Sequence, residues 1–499
     1  LPMGEQLTLS CSTHTFAAVL FGVLGLGSWI TVNGMFQELP LIAPTAPEKY
    51  GLFSWINLAI AASNVFPLAY LALVARLSSG SRRWADAFAS ALLLGVLGAG
   101  ACVALAFGWR ASRGGVSWAL ILLAFLSGGV DCTTSVLFFP LAVRFPSSCT
   151  SALFVGECVT GLFAATLAIA QAPTGIKPNR DPEDTIDSLH FSIGSYFGIL
   201  GGVMLCAAAA SIAIFVVERR VVSRAKQRGA PVRLVEEREA EAEERISAAA
   251  AAGGEGRVRR TFTSCVASVL PPSASRDAAV TLLFSQFALA FVENGIYVTL
   301  LPRSLKLYPA STSLISVTMK VGFGGAGLAA IFALFLSTQR RRTRWLRERV
   351  SPPALRVGAI VIVAIGALWI VVTAAAPVAP GSLAFGVCTV IVAVLCKWFL
   401  SFYKTLLFLN SHPDTAELLE EEAGEREGKG GGNAIMMDAA ADAEGGGVVG
   451  ADAGRNEGAA GASLPEYDIF RWGGAGIQAG SACGALLFFV LAEICHAFH

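Results

Sequence analysis

The chain has 499 residues, 54% of them hydrophobic and only 15% charged, with a formal net charge of +1. That much apolar surface at this length excludes an ordinary soluble enzyme, and the near-zero charge gives no sign of a nucleic-acid partner. Apolar runs long enough to cross the roughly 30 Å hydrocarbon layer as helices recur instead. Eleven are predicted, at about 15–37, 52–74, 86–108, 117–140, 150–171, 193–216, 278–300, 311–336, 355–376, 382–404 and 472–494.

The expected fold is an all-α polytopic membrane protein, with about eleven transmembrane helices in a 6+5 two-bundle arrangement around a central cavity. Residues 1–217 form the first bundle and 218–276, basic and then Glu/Ala-rich, a cytoplasmic loop. Residues 277–404 hold helices seven to ten. The Gly-, Ala- and Glu-rich stretch 405–470 reads as a disordered cytoplasmic loop, too poor in large apolar groups to fold. Helix eleven and an outer C-terminus fill 471–499. The first span has no basic flank and carries polar residues, unlike a cleaved signal peptide. Orientation follows the basic residues. The short loops 75–85 and 337–356 carry ten arginines between them, which puts them and the N-terminus in the cytosol and the C-terminus outside.

In the first two spans, Asn33, Gln37, Glu38, Asn57 and Asn64 lie in or beside hydrocarbon, and Gly34, Pro40 and Pro67 are expected to break the helices. A carboxylate at the bilayer centre costs about 2.5–3.5 kcal/mol even on the lenient scale, so Glu38 should face a bundle interior or a wet cavity. Irregular, polar-bearing helices at membrane depth are how transporters build a midplane solute site. In the fourth span Asp131, Thr134 or Ser135, and Phe138 share one face; in the fifth, Phe154, Glu157 and Gly161 do. Each acid is either a site residue or a structural acid bonded to a neighbouring helix. The seventh span sets Gln286 and Glu293 on one face, with Asn294-Gly295 expected to interrupt the helix as Asn33-Gly34 does in the first. Lys320, on a stripe with Ser313 and Ser316, has three readings: snorkelling, pairing with a buried acid, or contact with solute. Lys397 and Lys404 lie near an inner helix end, where Lys404 reads as snorkelling. In the last span Gln478 and Ser481 sit among small residues that suit close helix packing, with Gln478 also a candidate donor to solute.

Gly322, Gly324 and Gly327 spell GxGxxG, but inside an apolar run, where helix packing is the reading rather than dinucleotide binding. No nucleophile–base or metal constellation appears, so no enzyme activity, metal or cofactor is expected. The five histidines lie at or outside the membrane edges, and the eleven cysteines read as small packing residues.

The run GSWITVNGMFQELPLIAPTAPEKY, followed by SNVFPL, VDCTTSVLFFPLAVRFP and ALFVGECVTGL, resembles the eukaryotic riboflavin transporter family of solute carriers. The second half matches more loosely, through Asn294-Gly295, Pro302, LSFYK at 400–404 and GAGIQAGSACGALL at 474–487. The resemblance implies an eleven-helix plasma-membrane carrier that imports riboflavin by alternating access without ATP. It carries functional weight onto Trp29, Asn33, Glu38 and Glu48, then onto Asn64, Asp131, Glu157 and Asn294. For such a solute, Trp29, Phe36, Phe138 and Phe154 are candidate flat surfaces for the ring. Asn33, Asn64, Thr134, Asn294 and Gln478 are candidate partners for its amide edge and hydroxyls. Transport is either facilitative or proton-linked, with Glu38, Glu48, Asp131, Glu157, Glu293 and Lys320 the gating or proton candidates. Two alternatives stay open: a carrier for another flat polar solute such as a nucleoside, or a membrane receptor using the same pocket.

Overall fold

A computed structural model describes residues 11–74, 79–142, 144–172, 182–227, 287–306, 308, 310–342, 352–375, 382–410 and 480–490. Of the predicted cytoplasmic loops 218–276 and 405–470, residues 228–276 and 411–470 lie outside them, together with Gln286 and Gln478.

The regular structure among the described residues is helical, apart from one isolated bridge between Arg113 and Val116. Helices α1 (Cys11–Leu26) and α2 (Ile30–Ile42) together form the first span. The break falls at 27–29, not at Gly34, which lies within α2. Ser28 donates to the Gly25 carbonyl at 2.7 Å and so satisfies one backbone acceptor at the bend. Pro40 also sits inside α2. The second span is α3 (Leu52–Ala62) and α4 (Val65–Val74). Its break at Ser63-Asn64 is held by the Asn64 amide, which donates to the Ala61 carbonyl at 2.8 Å. Pro67 then falls in the first turn of α4, where no intrahelical partner is lost.

The chain continues with α5 (Ser79–Ala91), a π-helical run Leu92–Gly98, α6 (Ala99–Gly108), α7 (Trp118–Ala142), α8 (Ser147–Gln171) and the short α9 (Pro182–Asp187). Helix α10 (Ile193–Gln227) outruns its predicted end, so the first basic residues of the expected loop are helical. The seventh span is helical over 287–306. Asn294-Gly295 does not interrupt it but lies in a wide π-helical run, Val292–Leu300, which feeds α11 (Leu301–Lys306). The remaining helices are α12 (Ser311–Arg342), α13 (Pro352–Ala375), α14 (Leu383–Asn410) and α15 (Gly480–Val490). Eight described helical segments are long and apolar enough to cross a membrane, one at each predicted span except the seventh, ninth and eleventh, which are described in part. Their outer faces carry exposed apolar side chains such as Phe88, Phe107 and Leu328, as lipid contact requires.

Packing sorts the helices into two sets. In the first, α1 lies along α8 and α10, α3 along α7 and α6 along α10; in the second, α12 lies along α14, which also carries α13. The sets meet where α12 packs on α8 and α2, and where α3 meets the wide run 292–300. At the α8–α12 seam the backbones nearly touch: a Cβ on Gly327 would lie 2.3 Å from the Cys158 carbonyl oxygen. The GxGxxG run is therefore a packing face, as its place in an apolar helix predicts. Away from the seam, Arg144 pairs with Asp86 at 2.9 Å and Glu218 at 3.5 Å, and Tyr70 also donates to Asp86. That cluster ties α4, α5 and α10 to the α7–α8 link.

Candidate functional site

A narrow pocket opens between the two sets. Trp29 at the start of α2, with Val32 and Phe36 one and two turns on, forms one wall. Asn57, Ile60 and Ala61 of α3, with Asn64 in the bend beyond, form the second, and Cys132 of α7 contributes from behind. From the other set come Asn294 and Ser481. The empty space is about 330 Å³ when its open mouth is counted, but the enclosed part has room for only about one water.

The polar groups of the pocket bridge the sets. The Asn57 amide donates to the Asn294 carbonyl and to Thr299 Oγ1, the latter at 2.9 Å. The Asn294 amide in turn donates to Ser481 Oγ at 2.7 Å. Asn64 Oδ1 is buried and accepts no hydrogen bond among the described residues. Phe36 stacks on Phe323 of α12 at 5.9 Å between centroids. The wide turn at Asn294 explains the geometry: with i→i+5 bonding the ladder gains a residue, and π-turns of this kind recur at functional sites.

Of the residues expected to bind solute, Trp29, Phe36, Asn64 and Asn294 line this pocket. The other described ones lie elsewhere. Asp131 is fully buried between α7 and α2, where Oδ1 accepts from Thr31 Oγ1 at 2.9 Å and Oδ2 from the Val32 backbone N–H at 3.1 Å. It clamps the first turn of α2. Thr134 Oγ1 donates to the Asp131 carbonyl at 2.9 Å, and Phe138 is buried in the apolar core. Asn33 donates to Thr160 Oγ1 on α8 at 2.9 Å. Phe154 packs, half-buried, against the core, and Glu157 is half-buried on α8, its carbonyl accepting from Thr160. Glu48 holds the start of α7, accepting from the Ser117 backbone N–H and, at 2.8 Å, from Ser117 Oγ. Glu293 forms a buried ion pair with Lys397, whose ammonium lies 4.3 Å from the Phe323 ring centroid. Lys320 is 9% exposed, with Glu38 the acid whose charge acts on it, outside ion-pair distance.

Asn57, Cys132 and Ser481 were absent from the expected set. For Asn57 the signal was available: residues 57, 60, 61 and 64 follow helical spacing, one polar-ended stripe aimed at the pocket.

Fold and site together define a polytopic helical membrane protein with a polar, aromatic-walled pocket between two helix sets. The chain belongs to the solute carrier family 52 riboflavin transporters, whose family model matches residues 13–419. It is 38% identical over 163 residues to riboflavin transporter 2 of Salmo salar, covering 32% of this chain and 34% of that protein. To solute carrier family 52, riboflavin transporter, member 3 of Homo sapiens it is 37% identical over 157 residues, 31% and 33% of the two chains. The matched stretch thus spans about a third of each of these relatives. Among solved structures it is similar to the E. coli fucose:proton symporter FucP, at 13% identity over 97% of this chain and 93% of that one, with a TM-score of 0.44.

Proposed function

We propose that the chain is a plasma-membrane carrier that imports riboflavin by alternating access, with its N-terminus in the cytosol and its C-terminus outside. The observation that carries this reading is the pocket at the seam, with hydrogen-bonding groups from both helix sets and a flat aromatic wall. Riboflavin is uncharged, with a flat tricyclic ring, an amide-rich edge and a polyol tail. Trp29 and Phe36 suit the ring faces, since stacking on aromatic surfaces adds about 0.5–1.5 kcal/mol beyond area burial. The unbonded Asn64 Oδ1 suits the N–H of the amide edge. Asn57, Asn294 and Ser481 suit the remaining carbonyls and hydroxyls once they release one another.

That exchange explains how a closed pocket accepts a solute. Trading a protein–protein hydrogen bond for a protein–solute one is nearly neutral, whereas leaving the buried group unpaired costs about 1–3 kcal/mol. Solute therefore replaces the Asn57–Asn294 bridge as the sets part, and the bridge re-forms when it leaves. Binding and movement are the same event at this seam.

The direct test is uptake of labelled riboflavin by transporter-deficient cells expressing the chain. Uptake well above background, competed by unlabelled riboflavin and not by nucleosides, is expected. Competition by nucleosides with riboflavin inert would establish the nucleoside carrier, and tight binding without flux the receptor. Phe36→Ala is expected to raise the half-saturating riboflavin concentration about tenfold, matching a lost stack and its burial. An unchanged value would remove Phe36 from the ring site.

A further inference from the structure

A second polar cluster lies outside the pocket, where α2, the end of α8 and α12 meet. Glu38 is wholly buried there, and among the described residues neither carboxylate oxygen has a hydrogen-bond partner. Gln171, the last residue of α8, is equally buried beside it, close to Glu38 but outside hydrogen-bond geometry, and neither amide atom is bonded among the described residues. Lys320 of α12 supplies the positive charge that faces Glu38 across the boundary between the helix sets. One residue away, the Gln37 amide donates to the Met319 carbonyl at 3.1 Å, which fixes α2 against α12 at this level.

No structural role accounts for this arrangement. A structural ion pair keeps its charges in contact and its remaining lone pairs satisfied, because attraction offsets desolvation only then. A structural neutral acid donates its proton to a fixed acceptor. Glu38 does neither. The other titratable groups on helices packed against α2 are committed or remote. Asp131 of α7 holds Thr31 and Val32, and the Tyr196 hydroxyl of α10 donates to the Ala164 carbonyl at 3.0 Å. Glu157 of α8 lies about four turns from Gln171 along the same helix. On α9, Glu183 pairs with Arg110 at 3.2 Å, while Asp184 and Asp187 are exposed; α3 carries no titratable residue.

We propose that Glu38 is the proton-exchanging group of this carrier, with Lys320 the charge on the opposite helix set that competes with the proton and Gln171 its hydrogen-bonding partner when neutral. With α2 and α12 together and water excluded, the carboxyl holds its proton against the opposing charge of Lys320. When the sets part at this level, entering water hydrates the carboxylate and takes that proton; closure draws a proton back from water. Protonation is thereby linked to which way the pocket faces, because the two charges stand on opposite sides of the moving boundary.

The inference rests on the carrier reading, and one experiment separates their failures. Initial riboflavin influx into proteoliposomes holding the full chain is measured from about pH 5 to about pH 8, a range wide enough to titrate a perturbed carboxyl. The unaltered protein should show a pH-dependent influx, Glu38→Gln should flatten it, and Glu38→Asp should restore a dependence. Lys320→Ala should move the midpoint to higher pH by about one unit or more, since losing a nearby positive charge lets the carboxyl hold its proton more tightly. A flat profile in the unaltered protein, or an unshifted profile in Glu38→Gln, overturns the inference and leaves the carrier standing. If Glu38→Gln does not fold, the Lys320→Ala midpoint decides, and an unmoved midpoint overturns it. Absence of riboflavin influx at every pH rejects the carrier and this inference with it.

Discussion

Asp131→Ala is expected to destabilise the folded protein by about 2–5 kcal/mol, whereas Asp131→Asn is expected to be tolerated. The carboxylate takes two donors at once, the Thr31 hydroxyl and the Val32 N–H, in a site from which water is excluded. Alanine leaves both buried donors unpaired, at about 1–3 kcal/mol each. Asparagine keeps the shape and an acceptor for Val32, and its amide can donate to the Thr31 oxygen instead. Because Val32 lines the pocket and Trp29 and Phe36 share its helix face, loosening this clamp also moves the aromatic wall. The check is thermal stability of the purified protein in detergent, with uptake measured in parallel. Asp131→Asn should retain at least about half of the uptake, as expected when shape and both hydrogen bonds are kept. If Asp131→Asn instead folds normally and loses transport, the charge itself matters, and Asp131 rejoins the proton-carrying acids.

This acid marks the boundary of what sequence could tell. A carboxylate in an apolar run announces that something polar faces it, but not whether that is solute, water or a neighbouring backbone. Asp131, Glu38, Glu48 and Glu293 look alike along the chain, yet they meet a helix N-terminus, an unbonded amide and lysine, the start of α7, and a direct ion pair. The spans were legible because about twenty apolar residues in a row have one use. The breaks were less so. Glycine and proline permit a bend without requiring one, and α2 runs through both Gly34 and Pro40 because its real discontinuity, at 27–29, is held by a side-chain bond from Ser28. The wide turn at Asn294 was sensed as an irregularity but not as its type. Asn57's part in the pocket's second wall was missed for another reason: it reads as one more buried amide until its partners on a distant segment are known.

Those partners set up the second large effect. Asn57→Asp is expected to lower riboflavin uptake about tenfold or more and to increase the reaction of Cys132 with a water-soluble thiol reagent by a similar factor. The asparagine amide donates to two oxygens of the opposite helix set. A carboxylate of the same shape has no hydrogen to offer and presents like charge to the Asn294 carbonyl. Losing two bonds worth about 0.5–1.5 kcal/mol each shifts the open–closed balance by about five- to a hundredfold. Cys132 reports that shift directly, because it lines the pocket and is only 1% exposed while the bridge is closed. Peptide-level mass spectrometry separates its labelling from that of Cys206, Cys388 and Cys483, which are exposed on the outer helix faces. Riboflavin should slow the Cys132 reaction in the unaltered protein by filling the pocket, and should do so less in Asn57→Asp. Unchanged labelling alongside lost uptake would make Asn57 a solute contact rather than a latch. Unchanged labelling with normal uptake would mean that the seam at Asn57 does not open during transport.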